Sequence, residues 1–310
     1  MALLFVFLDG VGIGPPSLKN PLSTREWPAM ARLAGNQPWV APFRPVTTSQ
    51  LIVRSIDATL GVEGLPQSGT GQATLFTGVN CAEHVGRHFG PYPHSTTHAI
   101  LRDHNLFRRV EAASMPVNGQ AKAATFANAY PDGFFDWVSG RGRWTVTTFA
   151  AVETGLSIRG SEELARGAAV AANITGEGWP DPDAGVGPIS ETEAASNLLR
   201  VHRHHRLTLF EYYLTDKVGH GRLEVPAESV IASVDRFLGA LLNGLDASED
   251  TLIVTSDHGN IEELGQKQHT RHPVPFIAWG RGARHFGGVE TLQDVTPAIE
   301  RLFTRIQTNT

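Results

Sequence analysis

Carboxylate residues follow three separate apolar runs of this sequence, and two of them have a histidine close behind. The carboxylates are Asp9, Asp216 and Asp257. The histidines are His220, four residues after Asp216, and His258, directly after Asp257. Short apolar runs are typical of buried parallel strands, and ligands in open α/β sheets bind beyond the carboxyl ends of such strands. The pattern therefore predicts that these side chains meet at one edge of a sheet.

Each motif alone also has an ordinary structural explanation. Asp257 and His258, for example, could belong to a simple turn after a core strand. Asp216 and His220 share a helix face only if a helical turn follows the strand. A further histidine, His269, stands before another short apolar run. Carboxylates and imidazoles suit Zn²⁺ or Mn²⁺, and three buried carboxylates at one edge would repel one another without cations. Together the motifs favour a metal site over a set of turns.

Hydroxyl side chains are concentrated in residues 66–80, at the start of a predicted helix. Ser68 has two possible roles there. A serine just before a helix is commonly an N-cap, but the same end of a helix also holds phosphate or stabilises an alkoxide. A loop with alternating glycines follows Asp9, but its spacing and the prolines behind it do not match the dinucleotide-binding fingerprint. A nicotinamide-dependent enzyme is therefore the least favoured interpretation.

The composition limits the class of protein. With 310 residues, 41% of them hydrophobic and 18% charged, the chain can bury a substantial core. The formal net charge of −5 argues against a nucleic-acid partner bound through a basic face. We expect no membrane partner, because no apolar run has the length of a membrane helix and the apolar N-terminal stretch lacks the basic flank of a signal peptide. The single cysteine, Cys81, favours a reducing compartment, so we expect a cytoplasmic protein. No oligomeric state is predicted.

The middle of the chain is expected to be an insertion. We predict a metal-binding catalytic core from residues 1–95 and 190–310, with an inserted cap or substrate region at 96–189. Within that region, residues 117–127 could instead be a strand of the core. Residues 175–189 are rich in Gly, Pro and Asp and are predicted to form a linker.

Five segments resemble the alkaline phosphatase superfamily, and most closely its cofactor-independent phosphoglycerate mutase and phosphopentomutase branch. In chain order they are LDGVGIG, SGTGQATLFTG, TDKVGHG, SDHGN and HTRHPVP. The resemblance covers about residues 1–80 and 207–310, and the middle section matches no motif. It implies an α/β fold, a three-layer sandwich with a mostly parallel central sheet and a small inserted α+β cap.

The resemblance also implies two divalent metal ions, Zn or Mn. One ion would be held by Asp9, Asp257, His258 and the oxygen of the nucleophile. The other would be held by Asp216, His220 and His269. Counting back from Gly78, which closes the hydroxyl motif, selects Ser68 as the nucleophile and leaves Thr70 as the alternative. His272 stays outside the metal shell. Candidate contacts to the substrate are Asn80, Arg87, His88 and Lys217.

These assignments predict a phosphoryl-transfer enzyme that forms a phosphoserine from a small phosphate ester. If water resolves the phosphoserine, the enzyme is a phosphatase or phosphodiesterase, and if a second hydroxyl of the substrate does so, it is a mutase. The phosphoglycerate mutases carry Ser-Glu-Val-Gly-His where residues 68–72 here are SGTGQ, and their insert is much larger, which argues against mutase activity. Cys81 lacks the C/S-x-P-x-R context of a sulfatase. A metal-binding relative without turnover is the alternative outside enzymes.

Overall fold

The computed structural model describes residues 1–114, 122–181 and 184–307. Its strands are β1 (Ala2–Leu8), β2 (Val46–Thr47), β3 (Leu51–Ile56), β4 (Ala124–Phe126), β5 (Asn128–Ala129), β6 (Val170–Ala171), β7 (Leu207–Tyr212), β8 (Asp250–Thr255) and β9 (Val274–Gly280). Its helices are α1 (Pro28–Leu33), α2 (Ser68–Thr77), α3 (Cys81–Val85), α4 (His98–His104), α5 (Leu106–Ala113), α6 (Asp132–Arg141), α7 (Val146–Glu153), α8 (Ser161–Ala165), α9 (Glu191–His202), α10 (Leu214–Gly219), α11 (Ala227–Gly244) and α12 (Val295–Gln307). None of the helices in these ranges combines the length and apolar character needed to cross a bilayer.

A seven-stranded sheet in the order β2-β3-β9-β8-β1-β7-β4 forms the centre of the described structure. Strand β1 pairs in parallel with β8 on one side and β7 on the other, and β4 continues this parallel set. Strand β9 runs antiparallel to β8, β3 reverses the direction again, and β2 is an antiparallel edge strand. The predicted α/β fold with a mostly parallel central sheet is therefore confirmed, because only β9 and β2 of this sheet run against the common direction.

Helices cover both faces of the sheet, as the alternating side chains of β1 show. Leu3, Phe5 and Phe7 pack in a hydrophobic cluster with α2, α5 and α12. Leu4 and Val6 pack in a second cluster with α1, α9 and α11. All five side chains are completely buried, and each such burial contributes about 1.5–3 kcal/mol. An uninterrupted apolar strand is what burial on both faces requires, and the result is a structure of three layers.

Residues 96–189 contribute to the main sheet as well as lying beside it. Helix α4 packs on α2, helix α5 packs on α12, and β4 is the edge strand next to β7. Strand β4 falls in the stretch where a core strand was the alternative to the cap, and residues 117–121 of that stretch lie outside the described residues. Strands β5 and β6 form a separate pair with a small cluster around Leu164 and Ala169. The division of the chain into core and cap stays a prediction.

The carboxyl edge of the parallel strands collects the segments with the predicted ligands. The three aspartates lie in the loops and the short helix that follow β1, β7 and β8. Because β9 runs the opposite way, the loop before it, with His269, reaches the same edge. Strand β3 also ends there, and the chain then leads to Ser68 at the start of α2. Gly10 permits the turn after β1, since its φ is 71° and a side chain there would lie 2.9 Å from Cβ of Asp216.

Candidate metal centre

The structure brings the predicted metal ligands together at this edge. They are Asp9, Asp216, His220, Asp257, His258 and His269. Asp257 and His258 are 0% exposed, and Asp9 and His269 are 7% exposed. Acids buried this deeply require compensating positive charge or hydrogen bonds. Their role as metal ligands stays a prediction.

One group consists of Asp216, His220 and His269, whose candidate ligand atoms lie within 4.8 Å of one another. Nε2 of each histidine is 3.4 Å from Oδ1 of Asp216, and the two Nε2 atoms are 3.0 Å apart. Nδ1 of His220 lies 3.1 Å from the carbonyl of Lys267, and Nδ1 of His269 lies 2.7 Å from that of Pro66. Because a carbonyl only accepts, both Nδ1 atoms donate, and in neutral rings two Nε2 lone pairs then face each other. A proton or a metal ion between the rings relieves this repulsion.

A second group adjoins the first through Asp216. Candidate ligand atoms of Asp9, Asp216 and His258 also lie within 4.8 Å of one another. Nε2 of His258 is 3.3 Å from Oδ1 of Asp9 and 3.5 Å from Oδ2 of Asp257. The rings of His258 and His269 stack with their centroids 3.7 Å apart. Asp216 therefore lies between two groups, whereas the resemblance assigns it to one ion only.

Ser68 is the first residue of α2, a helix whose residues are all buried. Its Oγ lies 2.9 Å from Nε2 of His258, so the hydroxyl points into the second group. The N-cap of the helix is Gln67, and no side chain caps the helix, so the capping role considered for Ser68 is wrong. The hydroxyl of Thr70 is engaged away from the clustered acids, because its Oγ1 accepts the backbone N–H of Phe89 at 3.1 Å.

Burial and mutual repulsion shift the protonation of these groups. Burial, together with the charges of Asp257 and Asp216, raises the pKa of Asp9 well above the usual value. Burial lowers the pKa of His258. Burial also opposes ionisation of Asp216, but a hydrogen bond with His269 and the charge of His258 lower the pKa of Asp216 overall. The acids thus differ in protonation because their local partners differ.

Two buried carboxylate oxygens lack a hydrogen-bond donor among the described residues. They are Oδ1 of Asp9 and Oδ2 of Asp257, and both approach Nε2 of His258. Leaving such an oxygen buried without a donor is costly, so each calls for a cation or a proton. Carboxylate oxygens and imidazole nitrogens are the donors that divalent transition metals and zinc prefer. The residues present therefore fit the metal ions that the resemblance implies.

Two polar residues that orient these ligands were not predicted from the sequence. Gln72 donates from Nε2 to Oδ2 of Asp9 at 3.1 Å. Asn260 donates from Nδ2 to Oδ1 of Asp216 at 2.6 Å and to the backbone carbonyl of Asp216 at 3.1 Å. Partners of this kind hold metal ligands in position. Their signal in the sequence is their place inside SGTGQ and SDHGN, two segments singled out for other residues.

Glu262 joins three of the loops that form the site. Its carboxylate is 1% exposed and accepts the N–H of Gly12 at 2.9 Å and the N–H of Asn260 at 2.8 Å. The hydroxyl of Thr270 and Nδ1 of His272, the latter at 3.1 Å, are its other partners. Burial opposes its ionisation, but the bonds with His272 and Thr270 lower the pKa of Glu262 overall. One ionised carboxylate therefore ties together the loops after β1 and β8 and the loop before β9.

Glu211 is a second buried acid that sequence analysis missed. It lies in β7 and is 4% exposed. Burial raises the pKa of Glu211 to about 8, and the charge of Asp257 adds to this effect while the hydroxyl of Thr147 opposes it. The backbone N–H of Glu211 donates to Oδ1 of Asn128 at 2.8 Å. The available signal was an acid inside a mostly apolar strand.

The predicted substrate contacts have different surroundings. Asn80 caps helix α3, because its Oδ1 accepts the N–H of Glu83 at 3.1 Å. Arg87 is exposed and His88 is half-buried in the loop after α3. Lys217 follows a predicted ligand, and burial lowers the pKa of Lys217. The amide of Asn80 is thus engaged within the protein, and the role of all four residues in substrate binding stays a prediction.

Comparisons with known proteins agree with this geometry. A family model described as the Metalloenzyme superfamily matches residues 187–304. The 2,3-bisphosphoglycerate-independent phosphoglycerate mutase of Trichormus variabilis is 44% identical over 78 residues, which are 23% of this chain and 14% of that enzyme. The enzyme of the same name from Pseudomonas fluorescens is 28% identical over 108 residues, 33% of this chain and 21% of that enzyme. The chain thus matches less than a quarter of the length of these relatives.

One solved structure shares the fold with this chain over nearly the whole length of both proteins. The PH0037 protein from Pyrococcus horikoshii superposes with a TM-score of 0.55 at 16% identity, covering 98% of this chain and 97% of that chain. The residues that match the family model include the segments with Asp216, Asp257 and His269. The family model and the relatives therefore support the resemblance of this chain to the alkaline phosphatase superfamily of metalloenzymes, near the phosphoglycerate mutases.

Proposed function

We propose that this protein is a metal-dependent phosphoryl-transfer enzyme that acts as a phosphatase or phosphodiesterase on a small phosphate ester. The observation that carries the proposal is the position of Ser68. Its hydroxyl lies at the N-terminal end of buried helix α2 and 2.9 Å from Nε2 of His258, beside the clustered acids. The positive end of a helix dipole favours an anion at this place, and the relatives are phosphoryl-transfer enzymes by name.

Two divalent ions, Zn²⁺ or Mn²⁺, are the proposed cofactors. Asp216, His220 and His269 would hold one ion. Asp9, Asp257, His258 and the Ser68 oxygen would hold the other. When bound, such ions lower the pKa of a coordinated hydroxyl and neutralise charge on a phosphoryl group. Gln72 and Asn260 keep the carboxylates of Asp9 and Asp216 in position for this role.

Ser68 performs the first chemical step in the proposed mechanism. Its Oγ attacks the phosphorus as the hydroxyl proton passes to solvent, and a phosphoserine forms while the bond from phosphorus to the ester oxygen breaks. The ester oxygen takes a proton from solvent and leaves as the alcohol. Water then attacks the phosphoserine and releases phosphate. The N-terminal end of α2 stabilises the negative charge of the phosphoryl group in both steps. We place this reaction in the cytoplasm, since the free and buried Cys81 suits a reducing compartment.

A phosphomutase is the second candidate, because the matched relatives carry that name. In a mutase a second hydroxyl of the substrate, instead of water, would accept the phosphoryl group from Ser68. Identification of the products from a panel of phosphorylated metabolites separates the two reactions, since only hydrolysis releases inorganic phosphate. A metal-binding relative without turnover is the third candidate. Tight metal binding without any product from the panel would favour it.

The nucleophile is tested by hydrolysis of p-nitrophenyl phosphate with added Mn²⁺ or Zn²⁺. Ser68→Ala is expected to lower kcat by at least about a thousandfold, because the alanine has no attacking oxygen. Ser139→Ala, in the exposed part of α6, is the matched control and should keep wild-type activity. Full activity after Ser68→Ala and Thr70→Ala together would overturn the assignment of the nucleophile.

A further inference from the structure

A pocket of about 430 Å³ lies at the amino edge of β4 and β7. Lys122, just before β4, and Thr125, within β4, line it, and His205 lines it shortly before β7 begins. The clustered acids lie at the carboxyl edge of the same sheet, and none of them is among the described residues that line the pocket. The pocket is therefore separate from the site of the proposed reaction.

The lining of the pocket carries more positive than negative charge. Among the described residues its cations are Lys122, Arg159 and Arg166, and its acid is Glu163. Oε1 of Glu163 pairs with Arg166 at 2.9 Å, and Oε2 accepts the N–H of Gly160 at 3.0 Å. Both oxygens of the acid are thus engaged, and neither of them forms an ion pair with Lys122 or Arg159. The pocket therefore has positive charge available for an anion.

The hydrogen-bond partners of Arg159 within the described part of the chain are all neutral. Nε donates to the carbonyl of Ala168 at 2.9 Å, and Nη2 donates to Oγ1 of Thr125 at 2.8 Å. Nη1 donates to the carbonyl of Phe126. Burial lowers the pKa of Arg159, so keeping the guanidinium charged costs free energy. An anion in the pocket would offset this cost, and a guanidinium has more N–H groups than these three bonds use.

The pocket combines further donors with one acceptor. Nζ of Lys122 donates to the carbonyl of Thr154 at 3.2 Å, which leaves its other N–H groups for a ligand. Nδ1 of His205 lies 2.8 Å from the carbonyl of Val201 and therefore donates to it. Burial lowers the pKa of His205, so the ring is neutral and its Nε2 can only accept. A ligand that fits both features has charged oxygens and also a hydroxyl group.

We propose that this pocket binds inorganic phosphate, held by its cations through the charged oxygens and by His205 through the P–OH group. Arg159 and Lys122 donate to the charged oxygens, and Nε2 of His205 accepts from the hydroxyl. Inorganic phosphate keeps a P–OH at neutral and mildly alkaline pH, whereas sulfate and doubly ionised phosphate monoesters have none. Those anions would place a bare oxygen against the lone pair of Nε2. The pocket thus selects among anions of equal charge by whether they carry a proton.

The test compares inorganic phosphate, sulfate and methyl phosphate at about pH 8, where all three carry about two negative charges and only inorganic phosphate keeps a proton. Binding to the full-length, metal-free protein is measured by titration calorimetry after the chelator has been dialysed away. Without metal ions the acid cluster repels anions, so it does not contribute to the signal. We expect inorganic phosphate to bind about tenfold more tightly than either of the others, which corresponds to about 1.4 kcal/mol.

Two variants of the pocket and one control complete the experiment. Lys122→Met removes a charge but keeps an apolar side chain, and it should weaken phosphate binding about tenfold. His205→Phe removes the acceptor and should reduce the preference for phosphate over sulfate to less than about threefold. Lys19→Met changes an exposed lysine outside the pocket lining and should bind all three anions as the wild type does.

Three results would overturn the proposal. They are no detectable phosphate binding by the wild type, equal binding of the three anions, and phosphate binding that neither pocket variant changes. Circular dichroism of each variant shows whether a loss of binding reflects unfolding, and Arg159 is left unchanged because its bonds hold β4. No ester is turned over in this experiment, so its outcome is independent of the function proposed for Ser68.

Discussion

Replacement of Glu262 by glutamine tests whether one carboxylate holds the site loops together. In the wild type one carboxylate oxygen of Glu262 accepts two backbone N–H groups, from Gly12 and Asn260. The other oxygen accepts hydrogen bonds from the hydroxyl of Thr270 and from Nδ1 of His272. An amide fits best with its NH₂ toward Thr270 and His272, because a hydroxyl can turn and an imidazole can accept at Nδ1. The backbone bonds then survive but lose the charge that strengthens them.

The expected loss follows from the number of affected bonds. Hydrogen bonds to a charged group contribute about 1.5–3 kcal/mol each, against about 1 kcal/mol for neutral pairs. With two backbone bonds weakened and two side-chain bonds rearranged, we expect Glu262→Gln to lower the free energy of unfolding by about 2–3 kcal/mol. Glu262→Ala leaves all the donors buried without an acceptor and should cost about 3–5 kcal/mol.

Urea unfolding of the metal-free protein, followed by tryptophan fluorescence, measures these changes without a contribution from metal affinity. Glu263→Gln is the matched control, because the side chain of Glu263 is only half-buried. The free energy of unfolding of this variant should stay within about 0.5 kcal/mol of wild type. If Glu262→Gln also stays within that margin, the carboxylate does not join the loops in the way described.

Three further predictions concern the metal and pH. Asn260→Ala should weaken metal binding about 10–100-fold in competition with a chelating dye, because Asp216 loses its donor, while exposed Asn243→Ala should match wild type. Mn²⁺ or Zn²⁺ at about 100 times its Kd should add about 2.7 kcal/mol of stability, seen as a higher Tm that EDTA reverses, and an unchanged Tm would contradict metal binding. The pKa of Glu211 is about 8 in the folded protein and 4.5 in a free side chain, so unfolding releases a proton between these values and stability should fall as the pH rises from 4.5 to 8. In the metal-free protein, Glu211→Gln should reduce this loss of stability by about 1–3 kcal/mol, measured by urea unfolding. If the free energy of unfolding falls equally steeply with pH in wild type and variant, the burial argument is refuted.

The clustering of the ligands was predictable because its signal is local. An aspartate directly after a short apolar run, such as Asp9 or Asp257, needs only the rule that parallel strands end at one edge. The mostly parallel sheet was implied by the resemblance, and the parallel pairing of β1, β4, β7 and β8 confirms it. The antiparallel direction of β9 was not predicted, because a short apolar run carries no information about the direction of its neighbour in the sheet.

The supporting residues could not be predicted because their partners are far away in sequence. Glu262 accepts a hydrogen bond from Gly12, 250 residues earlier, and nothing near Glu262 indicates that contact. Ser68 was open to a capping role for the same reason, since the hydroxyl contacts His258, 190 residues later. Glu211 was predictable only as an anomaly, an acid in a strand where apolar residues are expected.

The central position of β1 has a consequence for synthesis on the ribosome. Both neighbours of β1 in the sheet, β7 and β8, follow it in the chain about 200 or more residues later. At about 5–20 residues per second, this apolar strand waits about 10–40 s or longer for a partner. During that time neither edge of β1 can be paired as in the native sheet, and the nascent chain depends on chaperones or transient contacts to protect it.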